Sequence, residues 1–260
     1  MTLARRLDPL VLYSGLLIAF LFAPIVIIVI FSFDRVGVGT FPLSGFSTHW
    51  YRELASDPIF KAAAKNSAIV AVATAAISVV FGTLSAFALV RYRVRFAGAF
   101  TGLALLPIAL PGLLLGVALL AFFSRLHVQL SLLTVIVGHV LLTLPFVVLV
   151  MISRLNGFDR SLEDAARDLG ASPFETFRHV TFPLIRPSVI GSALLVAALS
   201  LDEFIVTFFT IGPENTLPIV IWGQMRQGVS PTVNAISTIM LFTTLVLVLV
   251  VRKFSDIRFR

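Results

Sequence analysis

Six long apolar segments restrict the possible folds of this chain more than any other feature. They cover approximately residues 10–33, 62–90, 97–123, 131–152, 184–211 and 233–251. Each segment is far longer than the roughly 10 residues that a membrane β-strand needs, and each can cross the hydrocarbon core as a helix. Lipid offers the backbone no hydrogen bonds, so each segment must satisfy its own, as an α-helix does. The sequence therefore predicts an all-α integral membrane protein with six transmembrane helices in one domain, residues 1–260.

Composition agrees with this prediction and excludes several classes of protein. Hydrophobic residues make up 58% of the chain and charged residues only 13%, against about 25% charged in soluble domains. Cysteine is absent, which excludes disulfides, cysteine-bound metals and a cysteine nucleophile. The sequence also lacks the phosphate-binding loop and the common metalloprotease and serine hydrolase motifs. The chain is thus predicted to be no enzyme and to bind no metal or cofactor itself.

The basic residues predict the orientation in the membrane. With the N-terminus inside, fourteen Lys and Arg residues fall on the inner side and six on the outer side. The inner set is Arg5, Arg6, Arg91, Arg93, Arg95, Arg154, Arg160, Arg167, Arg178, Arg186, Arg252, Lys253, Arg258 and Arg260. Inner loops carry the excess of basic residues in membrane proteins. Both termini and the loop 153–183 are therefore predicted to be cytoplasmic.

The first segment is predicted to stay as a membrane helix. The apolar run from Leu10 to Phe33 is longer than the roughly 7–15 residues of a signal-peptide core, and no clear cleavage site follows it. In the third segment, Pro107 and Pro111 are expected to kink the helix. Gly112 and Gly116 are expected to allow close packing against a neighbouring helix.

The polar loop 153–183 reads as a short helical hairpin. Leu162, Ala165, Ala166 and Leu169 recur at the spacing of one amphipathic helix. Gly170 follows at the position where a left-handed residue often ends a helix. The alternatives are that this hairpin folds back on its own bundle or that it forms a docking surface for a second protein.

The second half of the hairpin begins with a strong capping signal. Ser172 and Glu175 have the spacing of a capping box, and Pro173 suits the first helical turn. Phe174 and Phe177 give this second helix an apolar surface. Further along, Pro183 and Pro187 are expected to interrupt the chain as it enters the fifth membrane segment.

The same loop resembles the EAA loop of the permease subunits of ABC importers. The matching positions are Asp164, Ala165, Ala166, Gly170, Val180, Phe182 and Pro183, with Asp164 in place of the family glutamate and Glu163 beside it. The resemblance implies the transmembrane fold of a type I ABC importer, in which this loop docks on a cytoplasmic ATPase. The residues implied to couple to the ATPase are Glu163, Asp164, Ala165, Ala166, Gly170, Phe174, Phe177 and Pro183.

Residues 200–238 look like the polyamine branch of that family, although permeases for opines, ferric iron, sulfate and other solutes share the architecture. The resemblance implies a second permease that is a different chain, two ATPase subunits that bind ATP and magnesium, and an extracytoplasmic solute-binding protein. It places the chain in the bacterial inner membrane, with no nucleic acid partner. The rival hypothesis is a stand-alone secondary transporter or channel, and this hypothesis does not explain the capped hairpin.

Two acids lie within the fifth predicted span, Asp202 and Glu203. An ionised carboxylate inside the membrane costs about 2.5–3.5 kcal/mol on insertion scales, so both are expected to face protein or water. Either they pair with a partner subunit, or at least one lines the pathway for a cationic solute. Trp222 could add an aromatic face to that pathway or serve only as an anchor.

Overall fold

The computed structural model describes residues 9–36, 41–92, 95–227 and 231–256, and helices dominate these ranges. The helices are α1 Pro9–Phe31, α2 His49–Ser56, α3 Pro58–Arg91, α4 Ala97–Ala109, α5 Gly112–Arg125, α6 Leu132–Asn156, α7 Ser161–Asp168, α8 Pro173–Thr176, α9 Phe182–Asp202, α10 Ile205–Thr210, α11 Leu217–Gln227 and α12 Pro231–Asp256. A π-helical segment, Phe177–Thr181, joins α8 to α9. The predicted all-α fold is confirmed.

Among the described residues, five helical stretches are long and apolar enough to cross a membrane, and α4 with α5 makes a sixth if the pair counts as one span. Five of the basic residues behind the orientation, Arg5, Arg6, Arg93, Arg258 and Arg260, lie outside the described residues. The cytoplasmic placement of both termini therefore stays a prediction.

The chain divides into two compact units, Met1–Lys61 with Ile221–Leu241 and Ala62–Val220 with Phe242–Arg260. In the first unit, the chain after α1 is fastened to α2 by polar contacts. The Trp50 indole N–H donates to the carbonyl oxygen of Asp34 at 2.7 Å. The hydroxyls of Ser32 and Tyr51 share a hydrogen bond of 2.7 Å. These bonds satisfy backbone and side-chain groups near the end of an apolar helix, where they need partners.

The second unit holds the main apolar core. Buried side chains of α3, α6 and α9 meet in one cluster, which contains Ala75, Ala86, Val147, Met151, Leu155, Ile185 and Val196. A second cluster joins α5 to α10 through Leu115, Leu119, Phe123 and Val206. Small residues bring these helices close together, as is common within membranes. A Cβ atom placed on Gly116 would lie 2.8 Å from Cδ2 of Phe209, whereas one on Gly112 would meet nothing within 4 Å. The close-packing prediction thus holds for Gly116 and not for Gly112.

The third predicted span differs from expectation, because it is broken and not merely kinked. Helices α4 and α5 meet at 105°. The break falls at Leu110, whose backbone is extended (φ −86°, ψ 130°), and Pro111 follows it. The Pro111 ring disfavours helical angles in the preceding residue. Pro107, which was expected to share the bend, lies inside α4.

The expected interruption at Pro183 and Pro187 is wrong. Helical structure continues from Pro173 through to Asp202. The π-helical segment provides the reason, because the amide of Phe182 donates to the carbonyl of Phe177, five residues earlier. A proline such as Pro183 lacks an N–H and crowds the preceding turn. A wider turn at that point accommodates it without ending the helix. The second half of the hairpin is therefore rigidly continuous with the fifth span.

Glycine contacts in this core give a direct test of the packing. A Cβ on Gly82 would lie 2.7 Å from Cβ of Val147, which is fully buried. We expect Gly82→Ala to destabilise the chain by about 1–3 kcal/mol, the usual cost of overpacking. Gly191→Ala is the matched control, because nothing lies within 4 Å of its Cβ position and alanine favours the helix. Thermal unfolding of the purified chain in detergent measures both; equal melting temperatures would contradict the packing described.

Candidate functional site

The predicted helical hairpin is present, and Gly170 ends its first helix as expected. Its φ is +89°, in the region that favours glycine. The amide of Gly170 donates to the carbonyl of Arg167 at 2.8 Å, and the amide of Ala171 donates to that of Ala166 at 3.0 Å. These two bonds form the Schellman arrangement, which satisfies the last carbonyls of α7. Nothing lies within 4 Å of a Cβ placed on Gly170, so the backbone angle alone accounts for the glycine.

Both helices of the hairpin begin with a side chain that accepts a backbone amide. At its start, the Asp159 carboxylate accepts the Ser161 amide at 2.9 Å. The backbone and side-chain hydrogen bonds from Ser161 lower the pKa of Asp159. In the second half, Ser172 Oγ accepts the Glu175 amide at 3.3 Å, and Glu175 Oε2 accepts the Ser172 amide at 2.8 Å. The predicted capping box is therefore confirmed.

One face of the hairpin presents apolar and small side chains to its surroundings. Leu169 is 90% exposed and Phe174 69% exposed. A shallow groove runs between the two halves of the hairpin; it is lined by Ala166, Leu169, Gly170, Ala171, Glu175, Thr176, His179 and Val180. Ala165 lies exposed on α7 and Ala166 is half-buried. An exposed apolar surface of this kind marks an interaction site more often than chance.

The two adjacent acids of α7, which the sequence could not separate, have different environments. Asp164 is exposed, and its Oδ1 lies 3.9 Å from Nη1 of Arg167. Glu163 turns inward, and its Oε1 accepts from Nη2 of Arg91 at 3.2 Å. The same oxygen accepts from the Thr181 hydroxyl at 2.7 Å. The structure thus presents Asp164 outward and holds Glu163 against the bundle.

Phe177 and Pro183 also belong to the inward side of the hairpin region. The Phe177 ring lies 5.8 Å from that of Phe87 on α3 and 6.1 Å from that of Phe182, measured between centroids. Pro183 is half-buried in the first turn of α9. Of the eight predicted coupling residues, Glu163 and Phe177 contact α3 and Pro183 is half-buried, while the Phe177 side chain also remains 40% exposed.

The fifth predicted span is interrupted where its acids lie. Helix α9 ends at Asp202, Glu203 is extended (φ −73°, ψ 109°), and α10 begins at Ile205. Glu203 Oε1 accepts the amide of Val206 at 2.9 Å, so its carboxylate caps α10. Asp202 is exposed, and its carboxylate has no hydrogen-bond or ion-pair partner in the described part of the chain. The expectation that both acids lie on one continuous helix is wrong.

A buried histidine hydrogen-bonds to both helices at this break, and the sequence analysis did not identify it. His139 on α6 is 1% exposed. Its Nδ1 lies 2.7 Å from the hydroxyl oxygen of Ser200 on α9, and its Nε2 lies 2.8 Å from that of Thr207 on α10. The Thr207 hydroxyl donates to the carbonyl of Glu203 at 2.8 Å. Ser200 and Thr207 lie seven residues apart on either side of the two acids, and these two hydroxyl residues were the available sequence signal for a polar contact. Nothing in the sequence placed His139 beside them.

Trp222, the third residue of the predicted pathway set, lies on α11 and is 40% exposed. It belongs to the first unit, whereas Asp202 and Glu203 belong to the second. A pathway that involves all three residues therefore stays a prediction.

Solved structures show where this fold occurs. A bacterial ABC transporter that imports the acidic polysaccharide alginate aligns with a TM-score of 0.74 and 17% identity, over 100% of this chain and 99% of that chain. The MetNI methionine ABC transporter, in inward-facing conformations, aligns with a TM-score of 0.61 and 16% identity, over 76% of this chain and 99% of that chain. The fold is that of the transmembrane subunits of type I ABC importers.

Sequence relatives are closer. The spermidine/putrescine transport system permease protein PotC of Escherichia coli (strain K12) is 37% identical over 234 residues, which cover 89% of this chain and 88% of that protein. The putrescine transport system permease protein PotI of the same strain is 36% identical over 230 residues, or 85% of this chain and 82% of that protein. The model of one family, described as the inner membrane component of binding-protein-dependent transport systems, matches residues 78–257. With that match across most of its length, the chain belongs to the family of inner membrane components of binding-protein-dependent transport systems.

Proposed function

We propose that this chain is the permease subunit of an ATP-driven importer of polyamines or similar cationic solutes in the bacterial inner membrane. The observation that carries the proposal is 37% identity to a spermidine/putrescine permease over 89% of the chain. The proposal favours this function over a stand-alone secondary transporter or channel, because the relatives act within transport systems and the chain has an exposed, capped hairpin.

A cationic substrate agrees with the chemistry of the broken fifth span. Asp202 offers an exposed carboxylate in a mainly apolar environment, where an acid is expensive unless it meets water or a cation. The ammonium groups of a polyamine are partners of the right charge, and charge-assisted hydrogen bonds are stronger than neutral ones. Opines, ferric iron and other solutes are the alternatives that a substrate screen separates. The alginate and methionine transporters are too distant in sequence to argue for their substrates.

The proposed link to ATP is the hairpin, on the cytoplasmic side. Its docking surface consists of Asp164, Ala165 and the half-buried Ala166 on α7, Gly170 in the turn, and Phe174 on α8. Small residues beside the groove let a partner approach closely, and Phe174 supplies an apolar anchor of the kind that dominates interfaces. ATP and magnesium are bound by the partner ATPase, and this chain contributes no catalytic residue.

The proposed assembly contains this chain, a second and different permease, two ATPase subunits and an extracytoplasmic solute-binding protein. The need for a binding protein is part of the family description that residues 78–257 match. The second permease and the stoichiometry follow from the sequence resemblance.

Reconstitution tests this proposal. We expect proteoliposomes with this chain alone to take up no spermidine or putrescine, with or without ATP or an ion gradient. Proteoliposomes with the complete set of subunits and the binding protein should accumulate polyamine when ATP is present, because the hydrolysis step belongs to the partner. The same complex without ATP is the control. Gradient-driven uptake by the purified chain alone would support the secondary-transporter hypothesis instead.

A further inference from the structure

The Glu163 carboxylate lies at the junction of three helical segments. It belongs to the first turn of α7, where the helix dipole favours a negative charge. Its Oε1 accepts from Arg91 in the last turn of α3 and from Thr181 in the π-helical segment that leads into α9. One oxygen atom therefore joins the hairpin to two of the long membrane helices.

This junction is shielded from solvent, which distinguishes it from a surface ion pair. The Arg91 and Glu163 side chains are 11% and 12% exposed. The Arg91 guanidinium also lies over the Phe158 ring, 5.2 Å from its centroid. Nε and Nη1 of Arg91 are buried without a hydrogen-bond partner in the described part of the chain. Glu163 therefore compensates this buried cation within the described residues, and removing one member of such a pair costs more than the pair contributes.

Two neighbouring arginines also donate hydrogen bonds to backbone carbonyls of the long helices. Nη2 of Arg160 donates to the carbonyl of Val90 at 3.0 Å. Arg154 donates through Nε and Nη2 to the carbonyl of Leu184, at 3.2 and 2.7 Å. All three bonds end on backbone carbonyl oxygens, so they do not depend on the side chain of the acceptor residue, and the two from Arg154 start on α6 rather than on the hairpin. Only the Glu163 junction depends on matched side chains from all three segments.

We propose that Glu163 is a positioning residue that makes α3 move together with the hairpin, so that displacement of α7 reaches α3 through the Arg91 contact, while the continuous helix from Pro173 to Asp202 carries it into α9. This inference rests on the proposed docking of the hairpin on an ATPase. Asp164, which lies next to it, faces outward and takes the partner contact instead. Asp164 thus binds the partner, and Glu163 transmits the partner's movement.

The test uses the complete complex in proteoliposomes, with labelled spermidine as the probe. Two quantities are measured: spermidine imported per ATP hydrolysed, and the ATP-dependent change in amide hydrogen exchange of the hairpin, of the end of α3 and of residues 177–181. In Glu163→Gln we expect the hairpin to keep its ATP response. We expect the end of α3 to lose its response, residues 177–181 to keep theirs through the continuous helix from Pro173, and import per ATP to fall by about tenfold.

Further variants separate positioning from simple stability. Arg91→Gln should reproduce the defect, and the double variant should be no worse than either single one, because the two residues act as a unit. Thr181→Val, which removes only one hydrogen bond, should give a smaller defect. Asp168→Asn is the matched control, since Asp168 lies exposed on the same helix, and it should behave as the wild type.

Two results would overturn the inference. One is a wild-type exchange response in all three regions together with wild-type import per ATP in Glu163→Gln. The other is that import in Glu163→Gln falls only in proportion to the amount of assembled complex, while Thr181→Val behaves as the wild type. This result would mean that Glu163 stabilises the complex and does not transmit movement. A hairpin without any ATP response in the wild-type complex refutes the proposed docking function itself, and the exchange measurement reports this independently of the substrate chosen.

Discussion

Replacing Gly170 by valine is expected to reduce ATP-driven uptake more than tenfold while the chain still inserts into the membrane. Gly170 has a φ of +89°, and an L-residue in the left-handed region costs roughly 1–2 kcal/mol, with β-branched residues at the upper end. The hairpin can relieve that strain only by changing the turn, which moves Phe174 and the capping box relative to α7. The helical continuity from Pro173 to Asp202 carries the distortion toward the fifth span.

The comparison with other substitutions makes this prediction specific. Gly170→Asn should be much milder, because asparagine tolerates the left-handed region. Gly157→Ala, at the other end of the same loop, should have little effect, since the φ of Gly157 is −82°. The measurements are polyamine uptake, binding-protein-stimulated ATP hydrolysis and the amount of assembled complex. Wild-type uptake and hydrolysis in the Gly170→Val complex would count against a docking role for the hairpin.

Neutralising Asp202 is expected to reduce polyamine uptake by about ten- to a hundredfold without loss of assembly. The Asp202→Asn change keeps the side-chain volume and removes the charge from an exposed carboxylate at the end of α9. A hydrogen bond to a charged group is worth about 1.5–3 kcal/mol. Losing such a contact while a cation passes is therefore expected to slow transport by about ten- to a hundredfold.

Glu203→Gln provides the matched comparison for Asp202→Asn. Glu203 already accepts the Val206 amide, and the amide oxygen of glutamine can accept the same bond, so we expect a smaller fall in uptake. If the acids instead pair with basic groups of the second permease, neutralising one leaves a buried cation uncompensated. The melting temperature of the complex, and not the uptake per complex, should then decrease. Unchanged uptake in both single variants and in the double variant would refute a pathway role for these acids.

The local signals in the sequence determined much of the hairpin. Gly170, Ser172, Pro173 and Glu175 lie within a few residues of one another, and their caps and turn need only local backbone geometry. For that reason the helix end at Gly170 and the capping box could be predicted correctly without knowledge of the fold. The helical character of the apolar segments followed in the same way, because lipid requires every backbone group to be bonded internally.

The courses of the third and fifth spans needed more than local propensity. Proline was read as a simple kink at Pro111 and as an interruption at Pro183, yet the chain breaks by 105° at the first and continues through the second. The difference lies in the hydrogen bonding around each proline. Leu110 became extended, whereas a π-helical turn absorbed Pro183. Propensity identifies a strained position, and the backbone hydrogen bonding that the folded chain adopts there decides whether the helix breaks or continues.

The roles of the polar residues were decided by tertiary structure alone. Glu163 and Asp164 are adjacent acids of the same helix, yet Glu163 bonds inward to Arg91, 72 residues away, and to Thr181, whereas Asp164 stays exposed. His139 joins Ser200 and Thr207 across the break in the fifth span from another helix altogether. Such pairings depend on which helix faces are brought together, and a buried polar group must find its partner there. The sequence by itself therefore determined that this chain forms membrane helices with a capped hairpin, while the three-dimensional packing decided which polar side chains hold the bundle and which remain free to meet a partner or a solute.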